Sequence, residues 1–398
     1  MSDSASSPPA TASILLPISA GILAAVVGFA SSFAIVLAGY TAVGATQAEA
    51  ASGLFAICLG QSLLAVAFAV ITRMPIAMAW STPGAALLIA TGMPAGGYPV
   101  AVGAFLIAGV LIVAAGVWRP FGRAVSAIPL SLAGAMLAGV LLELCLAPVK
   151  AVVALPALAF PIIVAWALAL RFARKFAIPI AVIATAVIVG ATTPLPPTAL
   201  ADLVPHPVFV LPAFTLQAMI GIAVPLLIVT MATQNVPGLA VLAVNGYTPN
   251  VGPIFVWTGL ASVGTAFLGG HTLNLAAITA ALCAGPDAHP DPARRWIASA
   301  TNGVAYLFLA FGATFAAAFV TASPPLLIEA VAGLALMGAL GSALSSALAR
   351  DDERLPAIVT FLTAASGVSF LGIGGAFWGL IAGGALMAVL KWRPTAPA

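Results

Sequence analysis

Charged residues are scarce in this sequence. Asp, Glu, Lys and Arg make up only 6% of the 398 residues, whereas 63% of the residues are hydrophobic. Soluble domains carry about a quarter charged residues, so this composition excludes an ordinary soluble domain. The net charge of +3 is also too small to indicate nucleic-acid binding. With a mean hydropathy of +1.19, the chain is predicted to be an all-α integral membrane protein.

Cysteines and catalytic motifs are equally sparse. The three cysteines, Cys58, Cys145 and Cys283, lie in separate apolar runs without CxxC spacing, which excludes a disulfide framework and a cysteine metal site. The sequence has no Walker A loop, no paired catalytic carboxylates and no GxSxG elbow. An enzyme, an ATP-driven pump, a metal and a cofactor are therefore not expected.

Long apolar runs fill most of the chain. At about 20 residues per span, its length allows about twelve to fourteen spans. A cytoplasmic N-terminus and fourteen spans place every Lys and Arg except Lys150 on one side of the membrane, as the positive-inside rule requires. We predict a bacterial-type inner membrane protein with both termini cytoplasmic and no cleavable signal in the tail at 1–13. Twelve spans remain an alternative if an interrupted segment is re-entrant.

One apolar run is interrupted by the residues Ser81, Thr82, Pro83 and Gly84. Ser or Thr suits a helix N-cap, and proline suits the first helical turn. The residues before them, 74–80, are short enough to be extended. A helix that begins at membrane depth needs protein or a polar cavity around its free N–H groups, and its positive end attracts anions. The alternative is a proline-kinked spanning helix without a ligand.

A second interrupted segment, 269–278, matches the first. Both combine polar residues with the start of an Ala-rich helix, and the triplet Gly-Tyr-Thr also occurs once in each half, at 39–41 and 246–248. Seven spans per half would make the second half inverted, and paired interrupted segments in inverted halves indicate a binding site near the midplane. We therefore predict that Thr82 and Asn274 cap two half-helices whose N-termini face each other across one cavity.

Polar residues elsewhere in the spans complete the candidate site. Gln234 and Asn235 offer side-chain amides, either to a substrate or as bridges between helices. His271 is the only ionisable side chain predicted near the midplane, and it is either a proton relay or a neutral histidine bonded to backbone. The candidate substrate-binding residues, chosen by their polarity or their position at a break, are Ser31, Ser32, Ser81, Thr82, Pro83, Gly84, Gln234, Asn235, His271, Thr272 and Asn274. His271 is also the candidate for proton coupling.

Several motifs resemble the benzoate:proton symporter (BenE) family. They are WSTPGAAL at 80–87, VTMATQNVPG at 229–238, NLAAITAA at 274–281, GPDAHP at 285–290 and GIGGAFWGL at 372–380. The resemblance covers nearly the whole chain. It implies the fold of uracil and other nucleobase transporters, with two inverted seven-segment repeats and two half-helices that meet at the midplane. A core domain would comprise 14–119 and 214–321, a gate domain 120–213 and 322–393, with cytoplasmic tails at 1–13 and 394–398.

The sequence differs from the nucleobase transporters in the eighth and tenth segments. Those relatives carry acidic residues in the eighth and tenth segments, where this chain has Gln234, Asn235 and His271. The absence of a fixed carboxylate fits an anionic substrate. The resemblance thus implies import of an aromatic carboxylate, with benzoate expected, together with protons. Alternatives are another organic anion, a nucleobase-like solute or an uncoupled anion channel, and a membrane enzyme is the most distant. The expected partners are the substrate, protons and lipid, and the sequence is compatible with a homodimer.

Overall fold

The computed structural model of the chain describes residues 14–126, 128–193, 204–276 and 278–391. The predicted tails 1–13 and 394–398, and the centre of the proline-rich connector at 194–203, lie outside the described residues. Within the described part the chain is almost entirely helical, with four strands of two or three residues each.

The helices of the first half run from α1 to α9. They are α1 (Leu15–Ala30), α2 (Phe33–Ala42), α3 (Gln47–Thr72), α4 (Thr82–Thr91), α5 (Tyr98–Val117), α6 (Arg119–Ser126), α7 (Leu130–Ala154), α8 (Pro156–Phe172) and α9 (Ala177–Thr192). Strand β1 (Met78–Trp80) directly precedes α4. The first predicted span is therefore a broken pair, α1 and α2, because the chain turns at residues 31–32.

The second half repeats this order. Its helices are α10 (Leu216–Val244), α11 (Val251–Ala266), α12 (Ile278–Ala284), α13 (Trp296–Ala310), α14 (Ala313–Ala322), α15 (Pro325–Leu348), α16 (Arg354–Ala365) and α17 (Gly375–Lys391). Strand β2 (Leu273–Leu275) precedes α12, and the short strands β3 (Ser369–Phe370) and β4 (Ile373–Gly374) form a hairpin before α17. Helices α13 and α14 meet at an angle of 59°.

Among the described residues, seven stretches are long and apolar enough to cross a membrane, and the bent pair α13 and α14 makes an eighth. Four shorter apolar helices, α4, α8, α11 and α17, add to these. With α12 and α16, and with α1 and α2 counted together, the described part of the chain has fourteen segments in the predicted order. The fold is that of an all-α membrane protein.

Helix α10 owes its irregular shape to proline. Two of its stretches, Met219–Ala223 and Met231–Asn235, are π-helical. Each contains the residue four positions before a proline, Pro225 or Pro237. Proline lacks the N–H that an α-helix would use there, and its ring clashes with the carbonyl one turn earlier. The wider π turn relieves this clash, and such turns often occur at functional sites.

The segments pack in two groups. In the first group α5 packs against α11, α1 and α3 pack against α13, and α2 packs against α4. In the second group α7 packs against α15 and α16, α16 against α17, and α8 against α9. Close contact depends on small residues, as it commonly does in membrane helices: a Cβ on Gly259 would lie 2.6 Å from the backbone nitrogen of Val113. The predicted core and gate boundaries stay a prediction, since packing alone does not define moving bodies.

Candidate functional site

The two interrupted segments cross in the middle of the protein as an antiparallel pair. Strand β1 lies against β2 with Ala79 opposite Asn274. The pairing continues beyond the strands, since Ser81 N–H donates to the Thr272 carbonyl at 3.0 Å and Ala276 N–H donates to the Ala77 carbonyl at 2.9 Å. Extended backbone at membrane depth must bond to protein, and each segment satisfies the other. The prediction that both segments are broken, with neither an unbroken helix, is confirmed.

Ser81 caps helix α4. Its Oγ accepts from Gly84 N–H at 3.1 Å, and Thr82 is already the first helical residue. The predicted cap at Thr82 is therefore wrong, because the extended backbone ends one residue earlier than expected. Thr230 of α10 donates its hydroxyl to Ser81 Oγ at 3.0 Å and lies 3.0 Å from the Thr272 hydroxyl. These buried hydroxyls fasten the start of α4 to α10.

Asn274 does not cap the second half-helix. It lies in the middle of β2, and its Nδ2 donates to the Leu275 carbonyl at 2.7 Å. Helix α12 begins only at Ile278. The predicted cap is wrong because pairing with β1 keeps this segment extended as far as Ala276.

The edge of β2 that faces away from β1 is held by side chains. Asn235 Oδ1 accepts from Leu275 N–H at 2.9 Å, and Ser262 Oγ accepts from Leu273 N–H at 2.9 Å. Both side chains are fully buried. Asn235 thus takes the structural role that the sequence left open for it, whereas its predicted contact with a substrate stays untested.

His271 lies directly behind the cap of α4. Its Nε2 is 3.0 Å from the carbonyl of Ser81, and its Nδ1 is 2.8 Å from the Tyr40 hydroxyl. A carbonyl can only accept, so Nε2 carries a hydrogen, and in a neutral ring Nδ1 then accepts from the Tyr40 hydroxyl. The Tyr40 oxygen in turn accepts from the His271 backbone N–H at 3.1 Å. This geometry matches the neutral histidine considered above, and the predicted role in proton coupling stays a prediction.

The serine pair between α1 and α2 supports β1. Ser31 and Ser32 both donate their hydroxyls to the Gly28 carbonyl, at 2.9 and 2.7 Å. Ser32 Oγ also accepts from the Trp80 indole N–H at 3.1 Å. The break in the first span therefore fixes the large Trp80 side chain of the strand.

A cavity of about 410 Å³ opens in front of α4, between the two groups of helices. Small-molecule sites typically measure about 300–1,000 Å³. One wall is formed by α4 and by α10, which packs against α4 and α5 of the first group, and the other wall is formed by α7 and α15 of the second group. The lining residues are Pro83 of α4; Ala232, Thr233, Gln234 and Pro237 of α10; Leu130, Ala133, Gly134 and Leu137 of α7; and Gly338, Ala339, Ser342, Ala343 and Ser346 of α15.

The cavity is polar on one side and apolar on the other. Pro83 places the first turn of α4 at the cavity, where the helix dipole favours negative charge. Gln234 adds a carboxamide that forms no hydrogen bond among the described residues. Among the described residues the lining set contains no charged side chain, so an anion would be held there by dipoles and amide N–H groups. The opposite wall offers mainly aliphatic surface and room for a flat ring.

Of the eleven predicted site residues, Pro83 and Gln234 line this cavity. Ser81 and Gly84 are buried at the same helix start. The others surround the crossing strands or begin the helix, outside the lining set: Ser31, Ser32, Thr82, Asn235, His271, Thr272 and Asn274. The sequence reasoning missed the whole wall from α7 and α15. The sequence feature that indicates this wall is the four-residue spacing of Gly338, Ser342 and Ser346, which puts three small residues on one face of α15.

A second cavity, of about 450 Å³, lies at the other end of α4. It is lined by Thr91 at the end of α4 and by the charged residues Glu143, Lys150 and Glu329. Lys150 forms an ion pair with Glu143. Helix α4 therefore separates two cavities, with its first turn at one and its last turn at the other.

Comparison with known proteins identifies the family. The family described as BenE, benzoate membrane transport protein, matches residues 12–389. The chain belongs to this family. It is 38% identical over 372 residues to the inner membrane protein YdcO of Escherichia coli K12, covering 94% of this chain and 95% of that protein. It is 33% identical over 370 residues to the benzoate membrane transport protein of Acinetobacter baylyi, covering 92% of each.

Solved structures with the same fold include two other transport proteins. The transmembrane domain of the cyanobacterial bicarbonate transporter BicA matches with a TM-score of 0.56 at 17% identity, over 92% of this chain and 96% of that one. SLC26A9 matches with a TM-score of 0.63 at 13% identity, over 95% of this chain and 65% of that one. At such identities the likeness concerns the fold alone. This BenE family member is a multi-pass membrane protein of a transporter family.

Proposed function

We propose that this BenE family member is a secondary active transporter that imports an aromatic carboxylate, with benzoate the expected substrate, together with protons. The observation that carries the proposal is the cavity in front of α4, which combines a helix N-terminus and Gln234 with an apolar wall. The benzoate membrane transport protein at 33% identity supports the choice of substrate.

In the proposed binding mode the carboxylate points towards the first turn of α4 and the Gln234 carboxamide. The ring lies against the small and aliphatic residues of α7 and α15. Dipolar binding suits a transported anion, because a buried Lys or Arg would form an ion pair that is costly to break on release. The same site gives less to a nucleobase-like solute, because none of the described lining residues carries a carboxylate to accept from its N–H groups.

We propose that transport occurs by movement of the first group of helices, as the core, against the second group, as the gate. The position of α4 between two cavities supports this, since a displacement of α4 by about its own length of ten residues, or about 15 Å, would carry its first turn from one cavity to the other. The cavity of about 410 Å³ lies near the helix ends that lead to Arg119, Arg123 and Arg350. By the positive-inside rule this side is cytoplasmic, in a cytoplasmic membrane with both termini inside.

Proton coupling follows from the energetics of an anion. Moving one negative charge inward against a negative-inside potential costs about 2.3 kcal/mol per 100 mV. Co-transport of one proton cancels this cost and lets the pH gradient drive accumulation. An uncoupled anion channel would only equilibrate the substrate with the potential.

Uptake of labelled benzoate into proteoliposomes, with and without an imposed pH gradient, tests the proposal. We expect accumulation above the external concentration only with an acidic exterior, and competition by unlabelled benzoate but not by uracil. Equilibration without accumulation would identify a channel. Competition by uracil alone would identify a nucleobase-like substrate instead.

A further inference from the structure

We infer that Gly338 of α15 determines which aromatic acids fit the cavity, by leaving open the space into which a ring substituent would extend. This inference rests on the proposed function of the cavity. It extends the substrate class from the unsubstituted ring to monocyclic aromatic carboxylates with a substituent away from the carboxylate.

The geometry around Gly338 separates it from the other glycine of the same wall. A Cβ built on Gly338, which lines the cavity, meets no atom within 4 Å. A Cβ built on Gly134 of α7 would lie 2.7 Å from the carbonyl oxygen of Ala343. Gly134 is thus needed for the packing of α7 on α15, whereas nothing in the packing requires a glycine at 338.

The surroundings of Gly338 are suited to an apolar substituent. The lining of the same cavity also includes the apolar residues Leu137, Ala339 and Ala343. Besides taking part in the backbone bonding of the helix, the Gly338 carbonyl accepts from the Ser342 hydroxyl at 3.1 Å. Both bonds involve the backbone, so a side chain at 338 would displace neither of them. Glycine is disfavoured relative to alanine in the interior of a helix. At the wall of the cavity, the absence of a side chain on Gly338 leaves volume free for a ring substituent.

The same helix provides a matched control. A Cβ on Gly341 also meets no atom within 4 Å, but Gly341 does not line the cavity. A valine at either position changes helix propensity equally. The two variants therefore differ only in whether the added side chain enters the proposed substrate space.

The experiment measures binding of benzoate and 4-tert-butylbenzoate to purified wild type, Gly338→Val and Gly341→Val. We expect Gly338→Val to weaken binding of the substituted acid at least tenfold more than binding of benzoate, and Gly341→Val to leave both affinities unchanged. An unchanged ratio of the two affinities in Gly338→Val, with benzoate still bound, contradicts the inference alone. Failure of the wild type to bind benzoate contradicts the proposed function and the inference with it.

Thiol labelling provides a second readout that does not depend on transport. The native cysteines Cys58, Cys145 and Cys283 are buried, so background labelling by a maleimide should be low. We expect the thiol introduced by Gly338→Cys to react and to be protected by benzoate. The thiol introduced by Gly341→Cys should react without protection. Equal protection of both thiols, or of neither, would overturn the inference.

Discussion

The two walls of the cavity are built on different principles. The wall of α4 and α10 rests on a network of buried hydrogen bonds, in which Ser81, Thr230 and Asn235 bind the crossing strands together. The wall of α7 and α15 has few polar contacts and consists of small residues in close contact. Substitutions on the first wall should therefore remove hydrogen bonds. Substitutions on the second wall should instead cause steric clashes or change the shape of the cavity.

The second wall is held at one end of its helices by a group of hydrogen bonds and ion pairs around Glu353, which forms a brace. The buried carboxylate of Glu353 accepts from Ser131 at 2.6 Å, at the start of α7, and from Lys391 at 2.7 Å, at the end of α17. Arg350 lies 3.4 Å from the same carboxylate. Within this brace Glu353 lies in the connection between α15 and α16, and Ser131 follows Leu130 of the cavity.

The largest effect is expected where shape is most constrained, at Gly134. Because even a Cβ would lie 2.7 Å from the Ala343 carbonyl oxygen, Gly134→Val must push α7 away from α15. Overpacking of this kind costs about 3 kcal/mol. Thermal unfolding in detergent measures the loss. Gly190→Val on α9, where a Cβ meets no atom within 4 Å, is the control, and equal destabilisation of both variants would contradict the packing argument.

Two neighbouring residues of the first wall should separate stability from binding. Asn235→Leu leaves the buried Leu275 N–H without its acceptor, at a cost of about 2 kcal/mol. Gln234→Leu should leave the unfolding temperature unchanged and weaken benzoate binding about tenfold, or about 1.4 kcal/mol. Unfolding and binding are measured on both variants. Equal effects of the two substitutions on both quantities would remove the distinction between a supporting and a lining side chain.

A smaller effect is expected at the cap of α4. Ser81→Ala removes the acceptor for Gly84 N–H, and loss of a cap costs about 1 kcal/mol. Because the same turn faces the cavity, benzoate affinity should fall as well. Ser342→Ala on the second wall removes only a hydroxyl bonded to its own helix and should change neither quantity. A Ser81→Ala variant with wild-type stability would show that the cap is not important.

The sequence was sufficient for the scaffold and for part of the site. Hydropathy and the distribution of Arg and Lys predicted the segments, and Ser81 with Pro83 predicted the broken helix. The cap positions failed because a strand pairing between Ala79 and Asn274, nearly 200 positions apart, decides where extended backbone ends. The preference of neighbouring residues for helix or strand carries no information about a pairing between such distant positions. The wall from α7 and α15 was missed because small residues carry no chemical signal until a cavity is known to face them.

The brace of the second wall should give a modest effect that depends on pH. The Lys391 ammonium, followed by the Ser131 hydroxyl, holds the pKa of Glu353 below its ordinary value of 4.5. The stabilisation is therefore fully present above pH 4.5 and is lost as the pH falls through the lower folded-state value. Since Lys391 is about half exposed, Glu353→Gln should cost less than about 1 kcal/mol at pH 7. A stability difference from wild type that is as large at pH 3 as at pH 7 would contradict this sign.

The smallest effect on stability is expected at His271, where the substitution tests coupling. A glutamine can place an oxygen near the Tyr40 hydroxyl and an N–H near the Ser81 carbonyl, and so replace both bonds of the neutral ring. Glutamine cannot titrate. His271→Gln thus removes a proton carrier while preserving the support of α4, which an alanine would not do.

The two roles of His271 predict opposite results in the same proteoliposome assay. A neutral supporting histidine predicts that His271→Gln still accumulates benzoate when the exterior is acidic, and its bonds to Tyr40 and Ser81 favour this result. A relay histidine predicts exchange of labelled for unlabelled benzoate without accumulation. His271→Ala, which removes both bonds, controls for support and should lose stability in either case. Accumulation by His271→Gln would indicate that the substrate carboxyl group carries the proton, since no ionisable side chain lines the cavity in the part of the chain that the structure describes.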